Sequence, residues 1–214
     1  TRAAQQATRT IPIVMTVVGD PIEAGFVAGL AKPGGNITGL TQMSPQLSGK
    51  RLELLKQAFP KVSRVAAFVD GTPVMAQLAS KSLQETQMAA EALGIKLQSL
   101  EIIGPNPDLD GAFRTATSQR AGALIVLGGP VLELHRKSVA DLAAKSRLPA
   151  MYFNSQFVEA GGLMSYGVDL VDLHRRGATY VDKILKGAKP VDLPVEQPMR
   201  FEFIINLKAA KQIG

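Results

Sequence analysis

Apolar residues in this chain follow two rhythms, and the first stretch to show both runs from Ile11 to Thr41. Ile11 to Val18 (IPIVMTVV) is an almost continuous β-favouring apolar run, the pattern of a strand covered on both faces. Gly19-Asp20-Pro21 stops it. Proline suits the first helical position, where its missing N–H would have no partner anyway. Asp20 before it is a good N-cap, and Glu23 completes a capping-box pattern. Ile22, Phe26, Val27 and Leu30 then recur at helical spacing until Pro33-Gly34-Gly35-Asn36, and Ile37 to Thr41 reads as a second short strand. The stretch predicts a strand–helix–strand unit.

The same junction returns twice. Val65 to Val69 runs into Asp70-Gly71-Thr72-Pro73, and Ala123 to Leu127 runs into Gly128-Gly129-Pro130. Three strands thus end in Gly-X-Pro and feed a helix. In an open parallel sheet ligands bind outside the carboxyl ends of the strands, where helix N-termini offer N–H groups to anions. Turn and capping chemistry alone also accounts for each junction.

Further periodic segments fill in the pattern. Helices are predicted from Ser48 to Phe59, Pro73 to Leu93, Asp108 to about Gln119, Val131 to Ser146 and over about 170–186. Strands are predicted over 64–69, 95–102, 123–127, from Leu148 to Phe153, over 163–166, and from Phe201 to Ile205. Val191 to Pro198 reads as an extended Pro-rich connection, and Thr1 to Thr8 as the end of a helix whose preceding strand is expected in a missing N-terminal segment.

The alternation implies an α/β chain with parallel sheets and right-handed crossovers. Five strands between 64 and 166 make one complete lobe; the strands at 11–18 and 37–41 belong to another. Breaks at Thr41–Leu47, Tyr166–Asp169 and Val191–Pro198 can serve as crossings. The expected architecture is two doubly wound Rossmann-like lobes joined by hinge strands, the first lobe incomplete. Lobe one is assigned 1–43 and 167–192, lobe two 44–166 and 193–214.

Composition narrows the function. The net charge is +6, but lysines and arginines are scattered, with no run denser than Arg175-Arg176. Three Tyr, eight Phe and no Trp offer no stacking platform, so a solvated surface is expected rather than a nucleic-acid site. With no Cys, disulfides, thiolate metal sites and Cys nucleophiles are excluded. No apolar run approaches the length of a membrane span.

Catalytic patterns do not emerge. His135 and His174 stand beside arginines in no metal-ligand spacing and are expected to be structural. There is no nucleophile elbow, and KPGGN lacks the ending of a phosphate loop. Asp108 and Asp110 read as capping residues. The residues call for no catalytic group, metal or cofactor, and favour a binder over an enzyme.

The segments VVGDPIEAGFVAGLAKPGGNITGLT (17–41), LSGKRLELLKQAFPKVSRVA (47–66) and the stretch from Phe157 to Gly214, with its LPVEQP, closely resemble an ABC-transporter substrate-binding protein family. Its members are similar to binders of tryptophan and other aromatic amino acids, with the two-lobed type I periplasmic-binding fold. The resemblance implies the solute-binding component of an importer, periplasmic or extracytoplasmic, lipid-anchored in some members, and partnered by an ABC permease and its ATPase. It implies a small ligand, an amino acid or related aromatic carboxylate, held in the interlobe cleft.

Contacts implied by the resemblance fall at Asp20, Thr41 and Gln42, then Gly71 and Thr72, Gly128, Gly129 and Pro130, Tyr152 and Phe153, and Tyr166. Amides around Thr72 and Val131, with the Thr72 hydroxyl, would hold a carboxylate. Asp20 would hold an ammonium group or cap a helix. Tyr152, Phe153 and Tyr166 would wall an apolar side chain or pack in the core. The family often carries an Asn/Asp-rich loop where this chain has Asp70-Gly71-Thr72-Pro73. A sensor domain of the same fold, or an α/β isomerase or transferase, stands as the alternative.

Overall fold

In a computed structural model describing residues 1–213, the chain divides into two compact units. One comprises Thr1–Met43 and Val168–Phe201; the other comprises Ser44–Gly167 and the stretch from Glu202 onward.

The second unit is an α/β sandwich. Helix α2 (Ser48–Ala58) leads into β3 (Arg64–Asp70), α3 (Ala76–Ala92), β4 (Lys96–Ile102), α4 (Leu109–Ser118) and β5 (Ala123–Val126). Then follow α5 (Pro130–Leu134), α6 (Arg136–Lys145), β6 (Ala150–Tyr152), α7 (Ser155–Glu159), β7 (Met164–Val168), and, after the chain returns, β8 (Phe201–Ile205) and α9 (Leu207–Ile213). The strands form one six-stranded sheet in the order β4-β3-β5-β6-β7-β8. The pairs β3–β4, β3–β5, β5–β6 and β6–β7 are parallel.

Period-two alternation within the apolar runs builds both faces. Val65, Ala67 and Val69 turn to one side, against Leu52 and Leu55 of α2, Ala90 of α3 and Ala209 of α9. Ala66 and Phe68 turn to the other, against Phe113 and Ala116 of α4, Val139 and Ala143 of α6, and Phe157 of α7. Phe68 meets Phe113 edge-on, with ring centroids 5.0 Å apart. Each such fully buried large side chain contributes about 1.5–3 kcal/mol. Asp108 caps α4 through Gly111 N–H at 2.8 Å.

The first unit holds α1 (Arg2–Ala7), β1 (Ile13–Met15), β2 (Ile37–Gly39) and α8 (Leu170–Leu185). β1 and β2 pair in parallel, Ile13 opposite Ile37. Met15, Val27, Ile37 and Val195 form its core. Asp169 caps α8, accepting from Asp172 N–H at 2.9 Å.

Several expectations need correcting. The strand predicted over 11–18 is only Ile13–Met15, and the helix predicted after Pro21 is a single turn. Gly25 adopts φ +67°, a left-handed conformation that ends the turn after Ala24 N–H bonds to Asp20 O and Gly25 N–H to Ile22 O. A nine-residue segment with two glycines has too little helix propensity to continue. The helix predicted over 131–146 is divided at His135 into α5 and α6. The short helices α7 and α9 were not expected. Finally, the assignment of 193–201 to the second lobe does not hold. Thr38 Oγ1 donates to Leu193 O at 2.6 Å, Val195 N–H to Leu30 O at 2.7 Å, and Leu40 bridges Glu196, so this segment completes the first unit.

Among the described residues no helix is long and apolar enough to cross a membrane.

Candidate functional site

β3 lies between β4 and β5, so the sheet order reverses there, and the loops after β3 and β5 meet at the carboxyl ends of two adjacent strands, the place where open α/β sheets bind ligands. The structure brings Gly71, Thr72, Gly128, Gly129 and Pro130 together at this point, around Asp70. Asp70 is fully buried. Its Oδ1 accepts from Thr72 N–H at 3.0 Å and from the Thr72 hydroxyl at 2.6 Å, and its Oδ2 accepts from Val131 N–H at 3.0 Å. Gly129 passes so close that a Cβ there would stand 2.2 Å from Asp70 Cβ, and its φ of +126° suits only glycine. The donors expected to hold a ligand carboxylate therefore already hold the protein's own. Asp70 lies on the inward parity of β3 with Ala66 and Phe68, so the alternation of the run already marks it as inward-facing.

β6 ends in Tyr152, Phe153 and Asn154. Tyr152 is fully buried and stacked on Phe157, centroids 4.8 Å apart at 14°. It packs in the core, and burial raises its hydroxyl above the ordinary value of 10. It is not available as a ligand wall, which corrects that assignment: the strand's alternation turns it inward. Phe153 is half-buried, lies against Gly128 and meets Phe157 edge-on at 5.3 Å. Asn154 caps α7 and donates to Glu133 Oε2 at 2.8 Å; Glu133 Oε1 is buried with no hydrogen-bond partner among the described residues.

The least expected residue is Arg51, on the inward face of α2 and 2% exposed. Its Nε donates to Tyr166 O at 2.7 Å, Nη1 to Ser44 O at 3.1 Å and Nη2 to Phe153 O at 3.4 Å. One guanidinium thus ties the end of β6 and the middle of β7 to the start of the unit. Burial lowers it from 12.5 to about 9, with a smaller opposing effect from Tyr166, so it stays protonated at neutral pH. Its position four residues before Leu55 puts it on the apolar face of this helix with Leu52 and Leu55, and that placement was the signal in the sequence. Tyr166 itself is half-buried against the α2 side of the core.

In the first unit, Asp20 caps its turn as read: Oδ1 accepts from Ile22 N–H at 3.2 Å and Glu23 N–H at 3.1 Å. Thr41 is buried; its hydroxyl reaches Val18 O at 3.1 Å and accepts from Met43 N–H at 3.1 Å. Gln42 N–H donates to Val18 O at 2.7 Å, and its side chain is half-buried. Thr41 and Gln42 thereby fasten the second strand's exit to the loop that carries Asp20. His135 and His174 each contact a backbone carbonyl, Pro105 O at 2.9 Å and Leu170 O at 2.7 Å.

Glu196 closes the same unit through an ion pair with Arg176. Burial pushes its carboxyl up, but hydrogen bonds from Arg176 and Tyr180 outweigh this and hold it below the ordinary 4.5. A carboxyl depressed on folding adds stability above its unfolded value, and that stability is lost as pH falls through its folded value. Glu196→Gln is therefore expected to melt below wild type near neutrality and to converge with it as pH falls below the ordinary carboxyl value of 4.5, read as melting temperature against pH.

A mostly parallel, doubly wound unit with small, polar and aromatic residues gathered at a switch point has the architecture that many α/β ligand binders use. Comparison with known proteins sharpens this: residues 1–214 match the family model for ABC transporter substrate binding protein, and the chain belongs to that family. A tyrosine-binding protein of Clostridioides difficile is 30% identical over 216 residues, spanning 99% of this chain and 59% of that protein. The structure of an ABC domain from Streptococcus pneumonia in complex with L-Trp superposes with TM-score 0.87 at 28% identity, covering 98% of this chain and 69% of the other. A ligand-free, open substrate binding protein with adhesive properties from Clostridium difficile gives TM-score 0.71 at 27% identity, covering 100% and 70%. The chain thus spans about three fifths of the length of the curated relative it matches.

Proposed function

We propose that this protein captures an aromatic L-amino acid for an ABC importer, acting outside the cytoplasm with a permease and ATPase as partners and catalysing no reaction. The observation that carries the reading is the family match over the whole chain together with relatives that bind tyrosine or tryptophan. The strand-end loops supply the contacts. Phe153 and Tyr166, both half-buried, are suited to an aromatic side chain. The Thr72 hydroxyl keeps acceptor capacity after donating to Asp70. Of the acids beside these loops, Asp70 already has three donors, whereas Oε1 of Glu133, on α5, has none among the described residues, so Glu133 is the acceptor for an α-ammonium group.

A thermal-shift screen of the purified protein tests this. Ligand at a hundred times its Kd stabilises by about 2.7 kcal/mol, and at roughly 2–4 °C per kcal/mol the melting temperature rises by about 5–11 °C. L-tryptophan or L-tyrosine should give that rise, with lysine, glutamate and ribose giving none. A rise with ribose and none with any amino acid would overturn the reading.

A further inference from the structure

The end of the second unit's sheet opposite the strand-end cluster has its own chemistry. In a parallel sheet all helix-to-strand loops lie at the amino ends of the strands. Here those loops, with the helix ends and strand starts flanking them, carry Lys61, Arg64, Lys96, Arg120, Lys145 and Arg147, against the acids Glu91 and Glu159. Charge that looked scattered along the sequence is gathered by the fold at one edge, on a chain of net charge +6.

This edge also holds a groove of about 440 Å³, lined by Phe59, Pro60, Val62 and Pro149 with Lys61, Arg64 and Arg120. The groove has built walls. Lys56 Nζ donates to Pro60 O at 2.9 Å and Val62 O at 2.7 Å, fixing the loop between α2 and β3, and Phe59 and Val62 pack on the core beneath. Lys61, Arg64 and Arg120 are exposed, and among the described residues none of them is in an ion pair, Arg64 only donating to Gln119 O at 3.5 Å.

We propose that this groove docks an acidic segment of a partner protein, one that places a bulky apolar side chain between flanking aspartates or glutamates. The cations select negative charge, and unpaired cations steer an acidic partner at long range. The recessed apolar floor selects the inserted side chain, as a central buried anchor does in other interfaces. A lipid surface fits less well, because membrane binding needs apolar side chains that protrude. A simple polyanion leaves the floor empty.

The test is fluorescence anisotropy with a labelled acidic heptapeptide carrying a central phenylalanine, and with the same peptide carrying serine instead. The phenylalanine peptide should bind saturably, and more weakly as salt is raised. Replacing phenylalanine by serine, or using the Lys61→Glu/Arg120→Glu protein at unchanged melting temperature, should each weaken binding roughly tenfold. Arg64→Glu provides a second variant should the first pair melt early. Equal binding of the two peptides, binding indifferent to the charge reversals, or binding only to phosphatidylglycerol vesicles would overturn the proposal.

Discussion

Asp70→Ala is expected to destabilise the protein by about 2–4 kcal/mol, a fall in melting temperature of roughly 4–16 °C. The carboxylate is fully buried and is the acceptor for the Thr72 amide, the Thr72 hydroxyl and the Val131 amide. A hydrogen bond to a charged group is worth about 1.5–3 kcal/mol, but Thr72 and Val131 are half-exposed, so water offsets part of the loss. Asp70→Asn separates the effects. Its carbonyl can still accept from Thr72, while its amide would face the Val131 N–H donor to donor. The expected order is wild type, then Asn, then Ala, measured by thermal or urea unfolding. An Asn variant as damaged as Ala would show that the contact to Val131 dominates; an unchanged Ala variant would mean that Asp70 does not hold these two loops together.

Arg51→Ala is expected to cost more, about 3–5 kcal/mol, because it both empties a buried volume and takes a charged donor from three carbonyl oxygens, of which Ser44 O keeps the Ser48 hydroxyl. Arg51→Met tests which effect is larger. Methionine refills most of the space without donors. Two effects oppose each other in this variant. Removing a buried cation that has no carboxylate partner among the described residues relieves a desolvation cost, seen in its lowering from 12.5 to about 9. Losing three donors leaves Ser44 O, Tyr166 O and Phe153 O without them. The fork geometry of the three contacts makes the second effect the greater, so Met should still destabilise by about 2 kcal/mol. A neutral or stabilised Met variant would mean that the charge penalty prevails. Arg51→Lys should not rescue stability, since one ammonium cannot reproduce a planar fork to three separated oxygens.

Much of the second unit was legible in the residues. The apolar run from Val65 to Val69 supplies alternating side chains to two cores, and the helix start at Asp108 was marked by its cap. The glycine-rich junctions after β3 and β5 marked the switch point. What they do there was not legible. Capping chemistry and ligand chemistry use the same residue types, and only tertiary placement shows that Thr72 and Val131 turn to Asp70. Tyr152 and Phe153 are adjacent and chemically alike, yet strand parity buries one and leaves the other half-exposed. The first unit was harder to read. Its apolar spacing after Pro21 fits a helix, but Gly25 stops the turn, and a three-residue β1 carries too little signal to bound. Arg51 escaped because a cation on an apolar helix face looks like a surface residue until the backbone carbonyls it reaches are known.

The central claim is that an aromatic L-amino acid is the ligand, and calorimetric titration of L-tryptophan and L-tyrosine into the purified protein tests it most directly. Saturable one-site heat with at least one of them, reduced in Phe153→Ala and in Glu133→Gln, is the result expected. No heat with either amino acid, alongside saturable heat with a sugar or another solute, would contradict it.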